Sequence, residues 1–206
     1  MPDPSTLLLF VGTSLALLAV PGPAVIYVVT RSVDQGRRAG MISVLGVETA
    51  TFAYALAAAV GLTGLIAASE LGFTIVKYAG AAYLVYLGVR KLLEREEAHG
   101  AVADARSRLY LKGVLVQALN PKIAVFFLAF LPQFVDRGAG PVAPQILVLG
   151  VIFTLLAILS DGAYALLAGA LGGRLRGARA QRRLGRLSGG VLIGLGVGAA
   201  LSGSRR

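Results

Sequence analysis

The sequence predicts an all-α membrane protein, with six transmembrane helices arranged as two inverted three-helix repeats and with helices 1 and 4 broken at proline. Three observations predict it. The chain is 56% hydrophobic and only 15% charged, with a mean hydropathy of +0.77, far from soluble domains. Its apolar length divides into stretches of about 20 residues, the number that crosses about 30 Å of hydrocarbon. Its basic residues gather in alternate connectors. All 206 residues fit one transporter domain, with half-repeats over about 5–95 and 108–203.

The first span, about 6–29, contains "LLAVPGPAV" at 17–25. Each proline removes a backbone donor and crowds the carbonyl four residues back, straining a continuous helix by roughly 3 kcal/mol. A break is therefore expected around Pro21, Gly22 and Pro23. The preceding "MPDPSTLLLF" has no positive n-region and carries Asp3, so this span is expected to be retained and not cleaved. The second span, about 40–68, carries Glu48, and the third runs over about 71–92. The fourth, about 109–131, holds "QALNPKIAV", where Asn120 directly precedes Pro121. The fifth, about 143–171, carries Asp161, and the sixth, about 187–203, is short and glycine-rich with arginine on both sides. For the sixth, a re-entrant or surface-lying segment is the alternative.

Charge tests this count. Fifteen of the 20 basic residues fall between spans 1 and 2, 3 and 4, and 5 and 6. Lysine and arginine near span ends stay on the cytoplasmic side, so these connectors are expected inside and both termini outside. One span fewer before the last connector would erase the asymmetry. The net charge of +10 then reports topology and contact with anionic lipid, not nucleic acid, because no aromatic residues interleave with the basic ones.

The halves suggest a duplication. Setting Pro21 on Pro121 places "PGPAV" over "PKIAV", and "LVYLGV" at 84–89 matches "LIGLGV" at 192–197, at separations of 100 and 108 positions. A three-span unit repeated once must insert in opposite orientations. In transporters built this way, broken helices meet near the midplane, and their freed backbone groups bind substrate or ions. Replacing Pro21 or Pro121 with alanine is then expected to re-form helix and reduce transport.

Polar residues inside spans carry the remaining signal. An acidic side chain at span centre costs roughly 2.5–3.5 kcal/mol, so Glu48 and Asp161 are candidates for proton or ion coupling. Glu48 shares a helix face with Thr51, and its bland alternative is solvation or an arginine partner near the cytoplasmic headgroups. Asp161 shares a face with Thr154 and Tyr164, and Gln117 and Asn120 line one side of the fourth span. Lys122 lies about 200° around the helix from Asn120, so it is expected to pair with an acid or to act independently. The expected substrate-binding set is Pro21, Gly22, Pro23, Gln117, Asn120, Pro121, Lys122 and Tyr164. An amino acid needs a cation or helix N-terminus for its carboxylate and an anion or carbonyls for its ammonium, and this set offers both.

These segments resemble a known family. "VPGPAVIYVVTRSVDQGRRAGMISVLGVETA" at 20–50, "KYAGAAYLVYLGVRKL" at 77–92, "LVQALNPKIAVFFLAFLPQFV" at 115–135 and "RLSGGVLIGLGV" at 186–197 are similar to the LysE/RhtB amino-acid exporters over nearly the whole chain. The resemblance implies an inner-membrane exporter of amino acids or close derivatives that works by proton antiport as a homo-oligomer, a dimer in the simplest case. It places Pro21, Gly22, Pro23, Asn120, Pro121, Lys122 and Asp161 at motif positions. Members commonly carry aspartate near "GVETATF", where this chain has Glu48.

Other classes lack their residues. With no cysteine there is neither disulfide nor thiolate metal site, and the single histidine, His99, reads as a solvated connector residue. There is no G-x-S-x-G elbow for a hydrolase and no Walker A loop for an ATP-driven pump, so no enzyme activity, cofactor or metal is expected. A channel-like or structural multi-span protein without gradient coupling is the alternative.

Overall fold

The computed structural model describes residues 3–68 and 105–171, together with isolated helical positions at 74, 75, 78, 79, 82, 85, 86, 89, 93, 193, 194 and 197. Among the described residues every regular element is helical, and there is no strand. The expected third and sixth spans, the connector holding His99 and the last basic connector lie outside the fully described stretches.

Helix α1 (Pro4–Leu18) starts where Asp3 accepts from the Thr6 amide at 2.9 Å and proline occupies the first turn. The Ser5 hydroxyl and the Thr6 amide, both donating to Asp3, hold its carboxyl down at about 2, so the cap is ionised at neutral pH. The helix stops at Leu18 because the residue before a proline is pushed out of the α region. Helix α2 (Pro23–Gln35) begins after an extended Gly22 and ends at Gly36, whose φ of 85° is a left-handed conformation suited to glycine. The bend between α1 and α2 is 56°. The apolar run thus makes two helices and reaches Gln35, further than the single interrupted span expected over 6–29.

Helix α3 (Arg37–Ala68) is long and apolar enough to cross a membrane over Arg37–Gly61. Helix α4 (Arg106–Ala118) and the short α5 (Pro121–Val125) form the second bent pair, at 48°. Beyond α5 the chain continues as a π turn over Phe126–Phe130 and a 3-10 turn over Leu131–Phe134. Helix α6 (Val142–Leu171) is the second long membrane-crossing helix. Gln145, which sequence reasoning passed over, ties the preceding loop to α6. Its amide donates to the carbonyls of Asp136 (2.8 Å) and Gly140 (3.1 Å), and its oxygen accepts from the Asp136 amide at 3.0 Å.

Small residues let these helices approach closely, since apolar burial alone drives no association in lipid. A Cβ on Gly46 of α3 would collide with the Tyr110 carbonyl of α4, and one on Gly113 would lie 2.7 Å from the Ser43 carbonyl. Where α3 meets α6, a Cβ on Gly150 would stand 2.5 Å from the Ala55 methyl. Leu8, Leu45, Val60 and Leu159 remain exposed on the outer surface, as helices solvated by lipid require.

Two apolar clusters form the core. The larger gathers Phe10, Phe126, Phe127, Phe130, Phe134 and Phe153, with Phe126 stacked on Phe153 at 4.2 Å and Phe134 edge-on to Phe10 at 5.2 Å. The smaller holds Ala24, Val28, Val44, Val47 and Ala165. Polar side chains sit between them.

Candidate functional site

Where both bent helices turn, Gly22, Glu48, Gln117, Asn120, Lys122 and Asp161 line one cavity of about 10 Å³. That is room for about one water molecule and far too little for an amino acid. Leu18, Ile123 and Ala157 close it on the side of the phenylalanine cluster, and Ala24 belongs to both the cavity wall and the smaller cluster.

The first break leaves the C-terminal carbonyls of α1 without helical donors. Lys122 supplies them from across the molecule, its Nζ donating to the carbonyls of Leu17 at 2.9 Å and Val20 at 2.7 Å. The Tyr164 hydroxyl donates to Ala19 O at 3.1 Å. On the other side of the break, the N-terminus of α2 has no side-chain cap, and Ala24 and Val25 from its first turn also line the cavity.

The second break is capped locally by Asn120 and served from α3 by Tyr54. Asn120 is the N-cap of α5, its Oδ1 accepting from the Lys122 amide at 3.2 Å. Its Nδ2 donates to Gln117 Oε1 at 2.9 Å, and Gln117 Nε2 donates to Thr51 Oγ1 at 2.7 Å, so a relay of buried amides links α5 through α4 to α3. Tyr54 donates to Ala118 O at 2.7 Å.

Glu48 and Asp161 are buried, at 4% and 3% exposure. Neither oxygen of Glu48 makes a hydrogen bond, and neither does Oδ1 of Asp161. Leaving such groups unsatisfied in a native interior calls for an explanation, and inside a membrane protein the usual one is a bound ion, proton or substrate. The solvated or arginine-paired alternative for Glu48 does not hold.

Most of the expected residues therefore converge, but three expectations change. Pro23 and Pro121, and not Pro21, are the first residues of the helices that follow the two breaks. Proline is favoured at that position, and the Asn120 side chain caps α5 beside it. Lys122 and Asn120 face the same cavity despite the 200° separation, because Asn120, with φ −80° and ψ 106°, is extended and outside the helix. Thr154 bonds the Gly150 carbonyl of its own helix at 2.8 Å, and Tyr164 serves the Ala19 carbonyl instead of the cavity wall. Pro21 is buried within the break, whereas Pro23 is exposed.

The sequence reading passed over the phenylalanines and the π turn that carries them. The signal was present as "FFLAF" directly after the second break, since π turns often mark functional sites.

The family model described as LysE type translocator matches residues 15–203. The chain is 32% identical over 200 residues to the homoserine/homoserine lactone efflux protein of Salmonella typhimurium, covering 94% of each chain. It is 31% identical over 189 residues to an uncharacterized membrane protein of Vibrio cholerae serotype O1, covering 90% of this chain and 91% of that one. With the leucine efflux protein of Enterobacter sp. it shares 27% identity over 188 residues, covering 89% of this chain and 88% of that protein. No solved structure matches the chain. A membrane protein with two bent helix pairs around buried charges, matched over nearly its whole length, this chain belongs to the LysE type translocator family, a family of transporters and not of enzymes.

Proposed function

We propose that the protein is a secondary active exporter of amino acids or close derivatives across the inner membrane, coupled to proton antiport. The single observation that carries this reading is the grouping of Lys122, Glu48 and Asp161 where the two broken helices meet, with three carboxylate oxygens making no hydrogen bond. A zwitterion needs both signs of charge, and a coupling proton needs a carboxylate that can take it up at membrane depth. Relatives named for efflux of homoserine and of leucine support an amino-acid substrate. In this reading the halves are inverted repeats, the termini lie outside the cytoplasm and the protein works as a homodimer.

A one-water cavity between two apolar clusters supports alternating access over an open channel. With the termini outside, the phenylalanine cluster closes the outer side, and the smaller cluster of alanine and valine closes the cytoplasmic side.

The test is export from proteoliposomes containing the purified protein, loaded with L-homoserine or L-leucine, with and without an imposed pH gradient. Wild type is expected to move one of them uphill only with the gradient. Asp161→Asn keeps shape but cannot titrate, and is expected to keep passive exchange while uphill export falls by at least about tenfold. An Asp161→Asn variant that pumps at the wild-type rate removes Asp161 from coupling and makes Glu48 the carrier. Movement of neither compound at any gradient would reject this pair of substrates.

A further inference from the structure

Lys122 donates to the Leu17 and Val20 carbonyls while Glu48 Oε1, Glu48 Oε2 and Asp161 Oδ1, lining the same cavity, make no hydrogen bond. An ammonium bonded to two carbonyls at 2.9 and 2.7 Å beside unbonded carboxylates shows that this stretch of broken helix is itself a primary-ammonium site, already filled from within. We propose that Lys122 is a built-in surrogate for the α-ammonium of the substrate: on binding, the ammonium of an amino acid takes the carbonyls of Leu17 and Val20, and the released Lys122 ammonium takes the carboxylate of that amino acid. The inference rests on the exporter reading above and adds how the empty site is kept closed and what substrate class opens it.

Three observations support the exchange. The cavity holds about one water, so admitting an amino acid requires a side chain to leave, and Lys122 is the long buried side chain whose withdrawal frees both space and ligands. Withdrawal without a replacement would take the ammonium from both carbonyls and leave Leu17 O with the Val20 amide alone, so the site resists opening when empty. The adjoining first turn of α2, whose Ala24 and Val25 line the cavity, has no side-chain cap and offers its amides beside the position a carboxylate would take. Only a molecule that carries both an ammonium and a carboxylate makes both halves of the exchange.

The experiment measures binding to the purified full chain with matched compounds. These are L-leucine, 3-methylbutylamine, which lacks the carboxylate, and 4-methylpentanoate, which lacks the ammonium. The homoserine counterparts are 3-aminopropan-1-ol and 4-hydroxybutanoate. Wild type is expected to prefer the amino acid over either partial compound by at least about tenfold, because each leaves buried groups unpaired. In Lys122→Met no ammonium occupies the carbonyls and no cation rewards the carboxylate. The amino acid and the amine are then expected to bind within about threefold of each other, with the amine no weaker than in wild type. A Lys122→Met protein that keeps the tenfold preference overturns the exchange, as does one that loses amine and amino acid binding equally. Should that variant fail to fold, wild type with isotope-labelled lysine decides, because the chain has only four lysines. Saturating amino acid is expected to shift the Lys122 Nζ resonance, and an unmoved signal overturns the proposal. Wild type that neither binds nor transports an amino acid fails at the exporter reading, before Lys122 is tested.

Discussion

At the first break, between Leu18 and Pro23, the helix that follows starts at a glycine with no side chain to offer; the Val20 amide bonds the Leu17 carbonyl at 3.1 Å, and the side chains that serve the break, Lys122 and Tyr164, come from 102 to 145 residues away in sequence. At the second, between Ala118 and Pro121, Asn120 caps the next helix two residues on, its own amide bonds the Gln117 carbonyl at 2.9 Å, and its side chain holds Gln117. Both breaks answer the rule that buried backbone groups must be paired inside a membrane. They differ in whether the partner can leave. Partners brought by the fold are able to exchange for a ligand, whereas a local cap moves with the helix it caps. The first break is thus suited to binding and the second to anchoring, with reciprocal tyrosines between them: Tyr164 of α6 serves the first break, and Tyr54 of α3 serves the second.

The largest expected effect comes from healing the first break. Replacing Pro21, Gly22 and Pro23 together by alanine removes the strain and the missing donor, so α1 runs into α2 and the Leu17 and Val20 carbonyls gain helical partners. Export is expected to fall by about a hundredfold or more while membrane insertion is kept, since the ligand groups vanish without loss of apolar length. Export above half the wild-type rate would show that the break is packing alone.

A smaller effect, and a different one, is expected at the second break. Asn120→Ala removes an N-cap, typically about 1 kcal/mol, and should lower the melting temperature by roughly 2–4 °C in a chain of this size. Asn120→Asp keeps the capping oxygen and should recover most of that loss, although it cannot donate to Gln117. If the aspartate variant melts as low as the alanine variant, the amide relay and not the cap holds this break.

The smallest effects belong to the tyrosines, each removing one hydrogen bond worth about 0.5–1.5 kcal/mol. Tyr164→Phe frees a carbonyl in the exchangeable break and is expected to change export by a few fold, on the order of that energy. Tyr54→Phe keeps its ring stacked on Phe127 at 5.9 Å and should leave export near wild type. Equal changes in the two variants would erase the distinction between a binding break and an anchoring one.

Composition and spacing alone determined that the chain is a helical membrane protein, that its first and fourth spans break near Pro21 and Pro121, and that Glu48 and Asp161 are out of place in hydrocarbon. These features follow from local rules: proline denies a helix its donor, and an acid inside an apolar run is costly wherever the run packs. Only the tertiary structure decided what each break does. Which side chain reaches Leu17 and Val20 depends on α5 crossing α1 about a hundred residues later, and no periodicity encodes that crossing. Helical periodicity sets Asn120 and Lys122 about 200° apart, but they share a cavity because an extended cap resets the angle. Thr154 shares the helical face of Asp161, yet its hydroxyl finds a nearer acceptor in its own backbone. Helical geometry names the face of a residue, but the partner on that face is set by packing, through groups distant in sequence that compete for the same few buried hydrogen bonds.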